Sequence, residues 1–274
     1  MKQKIFIVVS FVLFFAYKAN SQGLSAIKDF KNKIVSKRDN RWAVEKITKE
    51  NLLGVGYQTV QNQFFSPNQY PGIVLTLNGS RVREMPKNLY IFDKMLNLGI
   101  IQLPKSETPT YSENARFSHS ILRKINGNFA IGPQFSATLN ARLNTGYENN
   151  SLGGEAIIDL GPRLRLNKNF RFFAKTYSLT YNAALPLLGL AFTAPSFSTS
   201  FDANTNPKGF YTLNKYQRLQ SQLFLTLPAK KRFPNKNYKI GYQWDYLHLD
   251  LGNSRSLYNA VHTISFLGNI HKVK

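Results

Sequence analysis

The 274-residue chain contains no cysteine. That absence excludes a disulfide framework, a thiolate metal site and a cysteine-linked lipid anchor, so stability must come from packing, hydrogen bonding or an embedding medium. Acidic residues are scarce: 14 stand against 36 lysines and arginines, which leaves a formal net charge of +22. A balance that basic requires an anionic surface or partner. No stretch reaches ~18 uninterrupted apolar residues, which excludes membrane-spanning helices. The spacings G-x-S-x-G, H-E-x-x-H, the P-loop and the calcium loop are all missing, so no metal or cofactor site is expected.

What is present first is an export signal. Lys2 and Lys4 precede an apolar run from Ile5 to Phe15 broken by Ser10, and Ala19-Asn20-Ser21 before Gln22 has the small-x-small pattern of a signal-peptidase site. The run falls well short of the ~20 residues that a spanning helix needs. Residues 1–21 are therefore expected to be a cleaved signal peptide, and loss of Lys2, Lys4 and Lys18 lowers the charge from +22 to +19. Residues 22–50 form a basic N-terminal segment. There Leu24, Ile27, Ile34 and Val35 recur at roughly helical spacing among Lys28, Lys31, Lys33, Lys37 and Arg38, which fits either a short amphipathic helix or a loose tail.

From residue 51 onward the period changes from helical to two. Phe129, Ile131, Pro133, Phe135, Ala137, Leu139, Ala141 and Leu143 occupy one face of a strand, while Gly132, Gln134, Ser136, Thr138, Asn140 and Arg142 occupy the other. The same alternation sets Ala156, Ile158, Leu160 and Leu164 against Glu155, Asp159, Arg163 and Arg165, and Leu219, Leu223 and Leu225 against Arg218, Gln220 and Gln222. Tyr238, Ile240, Tyr242, Trp244 and Tyr246 make an aromatic stripe. Strands are expected at 52–64, 72–82, 88–103, 115–125, 128–143, 154–166, 169–183, 213–228, 237–249 and 257–268. That is about ten, with eight and twelve as the neighbouring even counts. The mean hydropathy of −0.29 does not oppose a membrane location for such strands, since only alternate residues would face lipid.

The export signal, the long alternating strands of 128–143 and 154–166 and the aromatic stripe of 238–246 together resemble Gram-negative outer-membrane β-barrel proteins, porin-like in architecture, with no subfamily indicated. The resemblance implies an all-β fold, an antiparallel up-and-down transmembrane barrel over 51–274, with the 22–50 segment periplasmic and the protein in the cell outer membrane. It implies outer-membrane lipids, lipopolysaccharide and the barrel-assembly machinery as partners, and no nucleic acid. In that class the final strand ends on an aromatic residue; here Tyr258, Ala260, His262, Ile264 and Phe266 alternate correctly, but Leu267 to Lys274 follow. Short links at 125–128 and 166–169 and longer ones at 104–114, 144–153, 184–212 and 249–256 place the short turns in the periplasm and the long loops outside. Charge sorts likewise, with Arg123, Lys124, Arg165, Lys168, Arg171, Lys230, Lys231, Arg232, Lys236 and Lys239 at the periplasmic ends.

Three sets of residues are candidates for function. Arg142, Glu155, Asp159, Arg163, Arg165, Arg218, Lys239 and Asp245 point inward and are expected to compensate one another in a crowded lumen, because an unpaired charge there is costly. Leu187, Leu188, Phe192 and Phe197 make the external segment 184–210 too apolar to stand in water, so it either extends the seventh strand or cradles lipid or another apolar small ligand. His248, Asp250 and Ser256 are weak catalytic candidates for a lipid hydrolase. The leading reading is a non-enzymatic barrel with a structural or ligand-binding role. The alternatives are a channel for small hydrophobic or anionic solutes, then a lipid-modifying hydrolase.

Overall fold

The computed structural model describes residues 46–63, 66–102, 108–144, 152–194, 208–228, 238–252 and 255–273. The signal peptide, residues 22–45, Phe197 and the lysines of 230–236 lie outside the described residues. The strands are β1 (Lys46–Asn62), β2 (Ser66–Glu84), β3 (Asn88–Ile101), β4 (Thr110–Lys124), β5 (Phe129–Asn144), β6 (Leu152–Phe172), β7 (Lys175–Ala184), β8 (Leu188–Ala194), β9 (Lys208–Thr212), β10 (Tyr216–Thr226), β11 (Lys239–Gly252) and β12 (Arg255–Val273). Every pairing is antiparallel. β12 pairs with β1, and β5 with β6, so the sheet closes on itself. The wall has ten staves, because β8 continues the stave of β7 and β9 that of β10.

Closure follows from the alternation. In β5 the odd residues expected to point outward do so, with Phe135 and Leu139 each 50% exposed, while Gln134, Ser136, Thr138, Asn140 and Arg142 are buried. The remaining staves repeat this: Leu53, Val55, Ile73, Leu75, Phe117, Leu160, Leu223 and Ile264 stand exposed on the outer surface. A wall that is apolar outside and polar inside is stable only with hydrocarbon around it and its backbone bonds closed, the condition a barrel meets. On the β11–β12 wall the outward aromatics touch. The Tyr242 hydroxyl lies 2.6 Å from His262 Nδ1, and Trp244 stacks on the same imidazole at 5.8 Å.

Three local features depart from the strands read in the sequence. β1 starts at Lys46, inside the segment assigned to the N-terminal tail. No turn forms at 166–169: β6 runs through to Phe172, with Asn167 opposite Thr180 and Asn169 opposite Ser178. The chain turns instead at Phe173 and Ala174, both at positive φ (47° and 59°), as a two-residue hairpin turn of the I′ kind requires. Asn and Gly usually mark such turns, and neither is present, which is why composition misplaced it.

The third departure lies in 184–212, a long link whose apolar part, on the sequence reading, either extends the seventh strand or cradles a ligand; it does extend that strand. Residues 188–194 and 208–212 are strands. Arg163 pairs with Ala184 and Leu160 with Leu188, so one side carries an extra residue, a β-bulge that shifts the inward set from even to odd numbers. Gly161 makes room for it: a Cβ there would lie 2.3 Å from the Leu185 carbonyl oxygen. Pro133 and Pro162 sit opposite one another across the β5–β6 pair, and each borders a break in its other ladder, where a missing N–H costs nothing.

Candidate functional site: the charged lumen

The lumen is filled in layers. Toward the terminal end, where β1 begins and β12 finishes, Val82, Leu89, Ile91, Leu122 and Ala130 form an apolar cluster on the β2–β5 side. Toward the opposite end lie a second, of Ile157, Ala191, Tyr216, Leu247, Leu249 and Leu257, and a third, of Val60, Tyr70 and Ile101. Between them sit ionised groups.

At the centre Asp159 on β6 accepts hydrogen bonds from the Tyr216 hydroxyl (2.7 Å), from Ser136 and from Arg218 Nη1 (2.8 Å). Arg218 on β10 also donates to Thr138 Oγ1 at 2.9 Å and reaches Asp245 Oδ2 on β11 at 3.3 Å. Asp245 in turn pairs with Arg116 on β4, which completes a chain of alternating charge from one wall to another. Arg163 bridges β6 to β3 through Asp93 (2.6 Å) and donates to Ser120 Oγ and Gln134 Oε1 at 3.2 and 3.3 Å. Nearer the terminal end Lys239 pairs with Glu50 and lies 4.7 Å over the Phe224 ring, and Lys124 meets Glu84 at 2.8 Å. At the other end Arg142 pairs with Glu155 at 2.5 Å. Neutral side chains fill the gaps, as where Thr76 donates to Asn97, which leads on to Asn114 and Asn140.

Of the inward charges read in the sequence, the structure brings Arg142 to Glu155, Arg218 to Asp159 and Asp245, and leaves Arg163 and Lys239 to partners not foreseen. Those partners, Asp93 and Glu50, were missed, as were Arg116 and Tyr216. The signal for Arg116 was present, since Arg116, Ser118 and Ser120 alternate with Phe117 and His119. The signal for pairing was not: Asp93 and Arg163 are on strands that are not neighbours, and no local spacing reports a contact across the lumen. Arg165 faces inward and, among the described residues, forms no salt bridge.

Leu187, Leu188 and Phe192 are 36%, 37% and 46% exposed, Leu188 and Phe192 on the outer face of β8. His248 and Asp250 lie on β11 and Ser256 on β12, rather than in a loop. Asp250 opposes Ser256 and His248 opposes Tyr258, so the set shares the outer face of one wall. The Ser256 amide donates to Gln63 Oε1 at 2.5 Å, and no hydrogen bond joins Ser256 to His248. Among the described residues, no group of His, Asp and Glu side chains converges as a metal site.

A closed antiparallel barrel with an apolar outer wall and a polar, ion-paired interior is an outer-membrane β-barrel. The chain belongs to the family described as "Protein of unknown function (DUF3316)", whose model matches residues 5–274. No curated protein matches the sequence. Among solved structures, the chain is similar to the translocator domain of the autotransporter NalP from Neisseria meningitidis (8% identity, 90% of this chain and 98% of that one, TM-score 0.36). It is also similar to Ail, the attachment invasion locus protein of Yersinia pestis (8% identity, 82% and 99%, TM-score 0.30). A Pseudomonas aeruginosa FadL homologue matches at 7% identity over 82% and 90%, with a TM-score of 0.33.

Proposed function

We propose that this outer-membrane barrel is a binding scaffold rather than a pore: the lumen is closed, and partners engage the wall and the external rim. One observation carries the reading. The alternating chain Tyr216–Asp159–Arg218–Asp245–Arg116 crosses the lumen from β6 and β10 through β11 to β4, with apolar clusters to either side of it. A solute passing through would have to separate buried ion pairs, and leaving a partnerless charge costs about 3–5 kcal/mol each time. The long-loop rim faces the exterior, and the terminal end faces the periplasm. Leu188, Leu190, Phe192 and Phe210, all exposed on β8 and β9, offer apolar area to lipopolysaccharide acyl chains or another hydrophobic partner. On the outside of the wall, Lys49, Arg81, Arg83, Lys94 and Arg123 share the outer face of β1–β4 and suit leaflet phosphates. Liposome swelling tests the reading. Vesicles carrying the folded protein should swell in isosmotic arabinose no faster than empty vesicles, and swelling graded by solute size would overturn it.

A further inference from the structure

We propose that the lumen holds a binding site for a small oxyanion, of the phosphate or carboxylate kind, centred on Arg165. This goes beyond the closed-barrel reading and does not depend on it, since a conducting barrel could hold the same site. The inference starts from how the lumen's charges match. Glu50, Glu84, Asp93, Glu155, Asp159 and Asp245 each take a basic partner. Arg165 is the inward guanidinium left over. Its Nε is buried without a hydrogen-bond partner, and the neighbouring cations Arg163 and Lys239 are already engaged with Asp93 and Glu50. The side chain is only partly buried, but its enclosed Nε loses water without gaining a hydrogen bond, and that cost is left uncovered.

Compensation from the protein itself is limited. In register Arg165 faces Ala130 on β5 and Asn182 on β7, and the buried Asn182 Oδ1 also lacks a partner. If the two turned toward one another, one of five guanidinium donors would be satisfied and the charge would remain. Beside them lies a small cleft of the lumen, open to solvent, which Arg165 lines with Thr180, Asn182, Gln222 and Gln243. Both carboxylates in its wall, Glu50 and Asp93, are spent on other cations. What remains is a planar fork of donors whose positive charge is only shared with carboxylates paired elsewhere, beside the Asn182, Gln222 and Gln243 amides, each of which keeps an N–H to give; the Thr180 hydroxyl is already donated to Asn167. That is the chemistry that grips an oxyanion, whose paired oxygens match a guanidinium.

The test is thermal unfolding of the folded barrel in a phosphate-free maltoside detergent, with inorganic phosphate exchanged for chloride at constant ionic strength. Wild type should show a saturable rise of a few degrees in its midpoint. Arg165→Gln should lose that rise, while Arg123→Gln, on the outer wall, should keep it. A midpoint indifferent to phosphate, a rise retained in Arg165→Gln, or an equal loss in Arg123→Gln would each overturn the proposal. Should Arg165→Gln fail to fold, equilibrium dialysis of labelled phosphate against wild type decides: one saturable site per chain supports the proposal and none overturns it. A phosphate-headed detergent should not compete, because it covers the outer wall; competition would move the site out of the lumen and so refute it.

Discussion

Arg218 answers to two carboxylates on different strands, Asp159 and Asp245, and is almost wholly buried with the first, the second being partly exposed. Arg165, on the same lumen surface, forms no salt bridge of its own among the described residues, and its Nε lacks a hydrogen-bond partner. Their substitutions should therefore differ in sign as well as size. Arg218→Ala strands Asp159 and weakens Asp245, and breaking buried pairs of this kind costs about 3–5 kcal/mol. Arg165→Gln removes a charge that no carboxylate pairs with directly and should be close to neutral or stabilising in the absence of an added anion. Urea unfolding in a maltoside detergent measures both, and equal losses would contradict the pairing described here. Gln134 marks a finer difference. As a lumen glutamine it looks replaceable from its sequence, yet it is buried, accepts from Arg163 and lies 3.0 Å from the Gln220 amide. Gln134→Ala should cost roughly 1 kcal/mol, the worth of a buried hydrogen bond.

Single strands depend on parity, and parity is testable here because the chain has no native cysteine to confuse labelling. Leu139 faces outward near the middle of β5, so Leu139→Arg should cost about 2–4 kcal/mol in lipid. The bulge at Pro186 and Leu187 makes a sharper claim. Phe192 is 46% exposed, whereas Thr193 is 3% exposed. Phe192→Cys should react quickly with a water-soluble maleimide in detergent, and Thr193→Cys should be protected; the reverse pattern would mean that β8 continues β7 without a register shift. This is also where sequence reading reached its limit. Alternation alone located the inner and outer faces of β5, β6, β10, β11 and β12 correctly, because each face meets a single medium along its whole length. It failed at 166–169, where Asn167, Lys168 and Asn169 have turn-like composition but the ladder with β7 continues. At 184–212 it was half right: β8 extends the seventh stave, as one of the two readings of that apolar stretch had it, but the bulge that changes the parity and the strand at 208–212 were not legible. The site was half legible: the inward charges could be listed, but their partners are set by the curvature of the closed wall.

At the scale of the molecule, the account makes a claim about direction and one about permeability. If the terminal end is periplasmic, Phe173, 83% exposed in the β6–β7 turn, belongs inside the cell envelope. Phe173→Cys should then resist labelling in intact cells and label once the outer membrane is permeabilised, and labelling in intact cells would invert the topology. Permeability is the central claim, because every contact across the lumen bears on it. Current recorded across a planar bilayer containing the wild-type protein tests it most directly, with Arg218→Ala as the comparison. The account predicts no stable open steps for wild type, and steps appearing only when the Asp159–Arg218–Asp245 chain is cut. Steady ohmic channels from wild-type protein, unchanged by Arg218→Ala, would contradict it.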